Sequence, residues 1–170
     1  TNTLNGIGSL YGEVNFLRDF KFKSSLQMNY GSGKTKSFTP VFDVGPLQMN
    51  VTNDLSLSYF NNYTFIFENL LTYNKNLGVH NFDVLAGYTT QLFESEFLNG
   101  RTENLLREDP SFWFINAGEN EFEVADNGSD VSTLISYLGR VNYSYDSRYL
   151  LTATLRRDGS SKFGRNNRWG

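Results

Sequence analysis

Ser136-Tyr137-Leu138-Gly139-Arg140-Val141-Asn142-Tyr143-Ser144-Tyr145 is followed by Asp146-Ser147, and then by Arg148-Tyr149-Leu150-Leu151-Thr152-Ala153-Thr154-Leu155-Arg156-Arg157. Before the break, Tyr137, Gly139, Val141, Tyr143 and Tyr145 alternate with Ser136, Leu138, Arg140, Asn142 and Ser144. After it, Tyr149, Leu151, Ala153 and Leu155 alternate with Leu150, Thr152, Thr154 and Arg156. A period of two places successive side chains on opposite faces of a strand. The stretch therefore reads as a β-hairpin over about residues 132–157 with one apolar and one polar face. Arg140 sits mid-strand, and a lipid-facing Arg near a bilayer midplane costs about 2–4 kcal/mol. If the hairpin crosses a membrane, Arg140 and Asn142 face an aqueous lumen and the Tyr137/Val141/Tyr143 face looks outward.

Two more hairpins precede it, over about residues 8–30 and 63–97. In the first, Phe20, Phe22, Leu26, Met28 and Tyr30 alternate with Lys21, Lys23, Gln27 and Asn29 beyond a turn at Arg18-Asp19. In the second, Phe65, Phe67, Leu71 and Tyr73 share a face, and Phe82, Val84, Ala86 and Tyr88 share one beyond a turn at Asn76-Leu77-Gly78. The expected fold is all-β, with six antiparallel strands in three hairpins. Long polar loops are expected at about residues 31–54 and 99–131. Residues 55–60 also alternate, as a strand within the loop or an extension of the strand that follows. Pro40, Pro46 and Pro110 all fall in these loops, where no ladder N–H is lost. Two structureless loops of that length do not suit a compact soluble domain. Short turns alternating with long loops suit an outer-membrane β-barrel, whose periplasmic turns are short and extracellular loops long.

Composition agrees with that reading. Only 39% of the residues are hydrophobic while 16% are aromatic, with 10 Tyr and 15 Phe, as expected when every second strand position is apolar and aromatic girdles mark the interfaces. No run approaches the 18 or so apolar residues of a membrane helix. Without cysteine, neither a disulfide framework nor a thiolate metal site is available. Phe20, Phe22, Tyr73, Phe82, Tyr143, Tyr145 and Tyr149 gather beside the three tight turns and are expected to form one interfacial belt. Six strands are too few to close a membrane barrel, and an open sheet in lipid leaves two edges unpaired. With no initiating Met and no signal peptide, the chain reads as a piece of a larger barrel, with no plug domain.

The residues of the third hairpin, continued by Asp158-Gly159-Ser160-Ser161-Lys162-Phe163-Gly164 and Asn166-Asn167-Arg168-Trp169-Gly170, closely resemble the SusC/RagA family of TonB-linked outer-membrane proteins. Glu68-Asn69-Leu70-Leu71-Thr72-Tyr73-Asn74-Lys75, with Gly78, His80-Asn81 and Ala86-Gly87-Tyr88, is a second match. Tyr11, Glu13 and the Phe20-Lys21-Phe22-Lys23-Ser24 strand match more loosely. The resemblance implies a 22-stranded transmembrane barrel with a plugged lumen, in the Bacteroidetes-type outer membrane. It implies TonB-driven import of oligosaccharides or peptides in company with a SusD-like surface lipoprotein. It assigns no substrate-binding residue within this chain. Separately, with His80 the sole imidazole and no nucleic-acid-binding fold, no enzyme, no cofactor and no nucleic-acid partner is expected.

Several local features invite sharper readings. His80 is the sole histidine and follows a tight turn, so it reads as interfacial and structural. Residues 159–164 carry the outer glycines of a phosphate loop, but Arg165-Asn166 stand where Lys-Ser/Thr is required; a loop start on the barrel rim is expected. The cations of residues 156–168 lack a nucleic-acid-binding fold and read as the same solvated rim. Between Glu94 and Asp130 there are 10 acidic residues and two basic ones, which makes the second loop acidic. Asp126-Asn127-Gly128-Ser129-Asp130 within it offers oxygen ligands for Ca2+, without the order of an EF-hand. Phe112, Trp113 and Phe114 form the candidate ligand or partner loop, as exposed rings beside carboxylates that stack on sugar faces, or else as a packed loop core or a lipoprotein contact. The alternative function is a passive adhesin or interaction barrel. A soluble carbohydrate-binding sandwich would need turns every 8–12 residues or so, which the long loops contradict.

Overall fold

The computed structural model describes residues 1–119, 123–164 and 166–170. Residues 120–122 of the acidic loop and Arg165 of the cationic run lie outside the described residues. Six long strands form one sheet: β1 (Asn2–Phe16), β2 (Phe20–Thr39), β5 (Asp54–Leu77), β6 (His80–Glu103), β7 (Val124–Tyr145) and β8 (Tyr149–Ser160). Their spatial order β1-β2-β5-β6-β7-β8 follows the chain, and the short strands β3 (Phe42–Asp43) and β4 (Met49–Asn50) pair separately. The sheet is antiparallel, as the alternation predicts.

The strands run well beyond the hairpin bounds drawn from the sequence. Residues 31–39, 99–103 and 124–131, expected in loops, belong to β2, β6 and β7. Their ladder continues where side chains on both faces are polar, so the pairing persists after the apolar/polar contrast that marks a strand has vanished. Residues 55–60 are an extension of β5. The connections shrink to residues 40–53 and 104–123, the second carrying 3-10 turns at Pro110–Phe112 and Ile115–Ala117. The second tight turn falls at Gly78-Val79, one step later than read.

Compactness divides the chain into two units. The first comprises Thr1–Asn5, Tyr30–Asn62 and Ser95–Asp130. It holds Leu55 (1% exposed) and Leu105 (5%), the only buried hydrophobic side chains among the described residues. The Asn53 amide takes the place of a ladder rung here. Its Oδ1 accepts from the Leu105 N–H at 2.6 Å and its Nδ2 donates to the Leu105 carbonyl at 3.0 Å. Thr102 is fully buried beside Gly118, where a Cβ would come within 2.1 Å of the Thr102 hydroxyl, so only glycine permits this approach.

The second unit comprises Gly6–Asn29, Tyr63–Glu94 and Val131–Gly170. All three tight turns lie in it and are linked: the Asn74 N–H donates to the Asp19 carbonyl at 2.9 Å, and the Asp146 N–H to the Val79 carbonyl at 2.8 Å. Leu17 and Arg18, like Asp146 and Ser147, all have left-handed φ, the combination whose twist suits tightly connected antiparallel strands. Register pairs Tyr137 with Arg157, Gly139 with Leu155, Val141 with Ala153, Tyr143 with Leu151 and Tyr145 with Tyr149 on one face. Arg140 pairs with Thr154, and Asn142 with Thr152, on the other. Beyond β8 the chain folds back: Gly170 and Asp158 exchange backbone hydrogen bonds at 2.9 and 3.2 Å, and the Ser160 N–H donates to the Arg168 carbonyl at 2.9 Å. The cations at residues 156–168 are therefore not one solvated rim loop, since Arg156 and Arg157 are strand residues and Arg168 pairs with β8.

Candidate functional site

The described part of the second connection, residues 104–119, is held against the ends of β2 and β6. Asp109 caps the first 3-10 turn by accepting from the Ser111 N–H at 2.8 Å. The hydroxyl and backbone N–H of Ser111 both stabilise the charged carboxylate and hold Asp109 below the ordinary carboxylate range. Trp113 turns inward: its ring stacks on Phe38 at 4.8 Å and 20°, and its Nε1 donates to the Glu108 carbonyl at 3.0 Å. The Lys36 ammonium donates to the Trp113 carbonyl at 2.8 Å, and Glu108 accepts from the Val41 N–H at 2.9 Å. Phe112 and Phe114 face outward, the latter 57% exposed.

The three rings expected as one cluster thus divide. Trp113 is loop core, and Phe112 and Phe114 are surface. Their neighbours also correct the expectation of rings beside carboxylates. The Arg107 guanidinium lies 4.5 Å from the Phe112 centroid and the Lys36 ammonium 5.2 Å from that of Phe114, while Glu108 and Asp109 are tied to loop backbone. An aromatic plane beside a cation suits a sugar ring or an anionic or amide-bearing ligand. The 126–130 run, expected as a loop, lies in β7. Successive side chains of a strand point to opposite faces, so its four oxygen-bearing side chains cannot converge on one ion. Among the described residues, no cluster of three metal-ligating side chains occurs.

In the second unit the two faces differ in chemistry. On the polar face, Asn142 donates through its Nδ2 to Asp83 at 2.9 Å, and its Oδ1 accepts from the Thr152 hydroxyl at 3.0 Å. Arg156 there pairs with Asp158 at 2.9 Å, Lys21 pairs with Glu13 at 2.9 Å, and Arg140 stands opposite Thr154. On the apolar face, rings gather beside the tight turns. Phe16 stacks on Phe20 (5.5 Å) and Phe20 meets Tyr73 (4.7 Å). Phe82 meets Tyr143 (5.0 Å), and Tyr145 meets both His80 (5.1 Å) and Tyr149 (6.3 Å). His80 Nδ1 is 2.7 Å from the Tyr143 hydroxyl, a structural contact among rings. Phe22 is half-buried, two residues on from Phe20 along β2.

A second group of rings on the same face escaped the sequence reading. Tyr88 meets Tyr137 at 5.4 Å, and Tyr137 meets Trp169 at 6.0 Å. Trp169 arrives only because the chain doubles back on β8, an arrangement that no periodicity announces. From Tyr145 to Tyr137 is about 27 Å along β7, or about 20 Å along the normal at a barrel's usual tilt. The exposed side chains of Val141, Leu151 and Leu155 fill the interval.

No protein-family model matches the chain. It is 31% identical over 164 residues to the TonB-dependent receptor P3 of Formosa agariphila, covering 95% of this chain and 16% of that protein. It is 29% identical over 159 residues to the TonB-dependent receptor SusC of Bacteroides thetaiotaomicron, covering 93% and 15%. Among solved structures, the RagAB peptide transporter superposes with a TM-score of 0.86 at 16% identity, over 99% of this chain and 18% of that one. The chain spans about one-sixth of the length of the curated relatives it matches.

Proposed function

This chain is kin to the TonB-dependent receptors of the SusC/RagA kind, and from that premise we propose that it forms consecutive staves of the barrel wall of an outer-membrane nutrient importer. The observation that carries the reading is similarity to such receptors along nearly the whole chain, on a sheet whose two faces have opposite chemistry. In this reading Arg140 and Asn142 line the lumen, the tight turns face the periplasm, and the two ring groups mark the two interfaces. Their separation of about 20 Å is near the apolar band of about 25 Å that such barrels present to lipid. The strand ends and the connection at residues 104–123 then stand outside the membrane, where Phe112 and Phe114 offer aromatic planes to an incoming oligosaccharide or peptide.

A SusD-like lipoprotein is the proposed outer partner, and the β3–β4 tip is its proposed contact, because Val44, Leu47, Met49 and Val51 are all exposed there, Leu47 by 98%. Exposed apolar side chains gathered in one loop mark an interaction surface. The test is uptake by cells carrying the intact gene, with and without a functional TonB system. Uptake of an oligosaccharide or peptide that disappears both on gene deletion and on TonB loss is the expected result. Uptake indifferent to TonB, or adhesion without uptake, supports a passive interaction barrel instead.

A further inference from the structure

We propose that the apolar face of β8 carries a binding site for the phosphate of an anionic lipid headgroup, built from Arg157 and the hydroxyls of Thr133 and Ser161 beside Trp169. The proposal rests on the barrel reading above, which turns this face to lipid. Arg157 lies opposite Tyr137 on that face, two residues beyond Leu155, which is 77% exposed. Its guanidinium lies over the Trp169 ring, 5.2 Å from the centroid. Among the described residues it has no acidic partner, whereas its neighbour Arg156, on the polar face, is neutralised by Asp158. An outward-facing Arg is tolerated at an interface and not at the midplane, so Arg157 fixes the level of headgroups. An uncompensated cation at that level calls for an anion, and guanidinium is the side chain best matched to phosphate.

The surroundings are shaped for such a group. Trp169 is set in place by the backbone rungs that Arg168 and Gly170 make with β8. It lies so close over Gly159 that a Cβ there would come within 2.8 Å of the ring. Beside it is a recess of about 180 Å3 lined by Thr133, Ser160, Ser161, Arg168 and Trp169, among others. Ser161 Oγ accepts from the Thr133 N–H at 2.8 Å, and Ser160 Oγ accepts from the Lys162 N–H at 3.2 Å. Each hydroxyl keeps its own proton to donate. The Thr133 and Ser161 hydroxyls and the arginine on the recess's aromatic wall form a donor set for a phosphate, while the exposed Leu151 and Leu155 suit the acyl chains. With the tight turns periplasmic, this end meets the outer leaflet, so the occupant is a phosphorylated glycolipid.

The test is native mass spectrometry of the detergent-purified full-length protein with monophosphoryl lipid A and with its dephosphorylated form. Wild-type protein is expected to retain the phosphorylated lipid about tenfold better, the worth of one charge-assisted hydrogen bond. The preference should vanish in Arg157→Gln and persist in Arg156→Gln and in Arg168→Gln, whose side chains belong to the polar face. Equal retention of both lipids, or an undiminished preference in Arg157→Gln, overturns the proposal. Displacement of the lipid by equimolar inorganic phosphate does so too, by assigning the site to a soluble anion. Heat-modifiable gel mobility and outer-membrane fractionation of each variant report on the barrel separately. A wild-type protein absent from the outer membrane defeats both readings, whereas a well-assembled barrel without lipid preference defeats this one alone.

Discussion

At the scale of single residues, neighbours with similar side chains carry different duties, and the loop at residues 104–123 shows it most clearly. Trp113 and Phe114 are adjacent aromatics that both meet β2, but the Trp113 side chain stacks on Phe38 and donates its Nε1 to the Glu108 carbonyl, whereas Phe114 offers only a ring face to the Lys36 ammonium. An aromatic pair contributes about 0.5–1.5 kcal/mol beyond its area, and a neutral hydrogen bond about 1 kcal/mol. Trp113→Ala is therefore expected to make the loop of the assembled protein cleavable by added protease at a rate about tenfold higher or more. Phe114→Ala should leave that rate nearly unchanged and lower only ligand affinity. Equal protection of the two variants would contradict the division into core and surface. Asp109 adds a pH dependence. Its folded-state pKa is depressed below the ordinary 3.8 by Ser111, so its contribution is present above that value and is lost as pH falls through the depressed one. Proteolytic protection of wild-type and Asp109→Ala loops should thus differ near neutral pH and converge only below about pH 4, read with an acid-tolerant protease.

At the scale of elements, alternation was legible wherever one face is apolar and illegible elsewhere. Residues 132–157 of the third hairpin could be read as strand and turn because Tyr137, Val141, Tyr143 and Leu155 contrast with Asn142, Thr152 and Thr154. The same β7 strand begins at Val124, and its first residues, Asp126 to Asp130, are polar on both faces, so they looked like loop. Trp113 and Trp169 were unreadable in role for a different reason: each is placed by a partner distant in sequence, Phe38 and Gly159 respectively. Facing, by contrast, follows from register and can be tested. Val141 and Arg140 are consecutive on β7 and point to opposite faces. An arginine facing lipid at mid-depth costs about 2–4 kcal/mol, so Val141→Arg should markedly reduce assembled, heat-modifiable barrel in the outer membrane. Arg140→Leu should assemble like wild type, since the proposed barrel turns that face to water. The opposite ranking in quantitative immunoblots would invert the sheet and reverse every assignment of lumen and lipid.

At the scale of the whole molecule, the sheet has the surface of a wall and almost none of the interior of a domain. Only Leu55 and Leu105 are buried hydrophobics among the described residues, while Ile7, Leu10, Leu150, Leu151 and Leu155 are exposed. A soluble domain would cover such side chains with a second layer; a barrel covers one face with lipid and hydrates the other. The edges differ as well. The face-to-face pairing of Arg168 and Gly170 with β8 occupies part of one outer edge, whereas β1 is exposed along its entire length and leads the strand order with nothing on its far side. Each backbone group left unpaired in hydrocarbon costs several kcal/mol, and with about 10 residues of a strand crossing the bilayer, that cost far exceeds what the exposed apolar face recovers. These 170 residues refolded alone into lipid vesicles are therefore expected to yield no protease-protected, heat-modifiable species, and to aggregate through the open β1 edge. The same residues within a closed barrel should be protected along the apolar interval from Tyr145 to Tyr137. Stable insertion of the isolated chain as a monomer would show that this sheet closes on itself, and would remove the argument that these strands are staves of something wider.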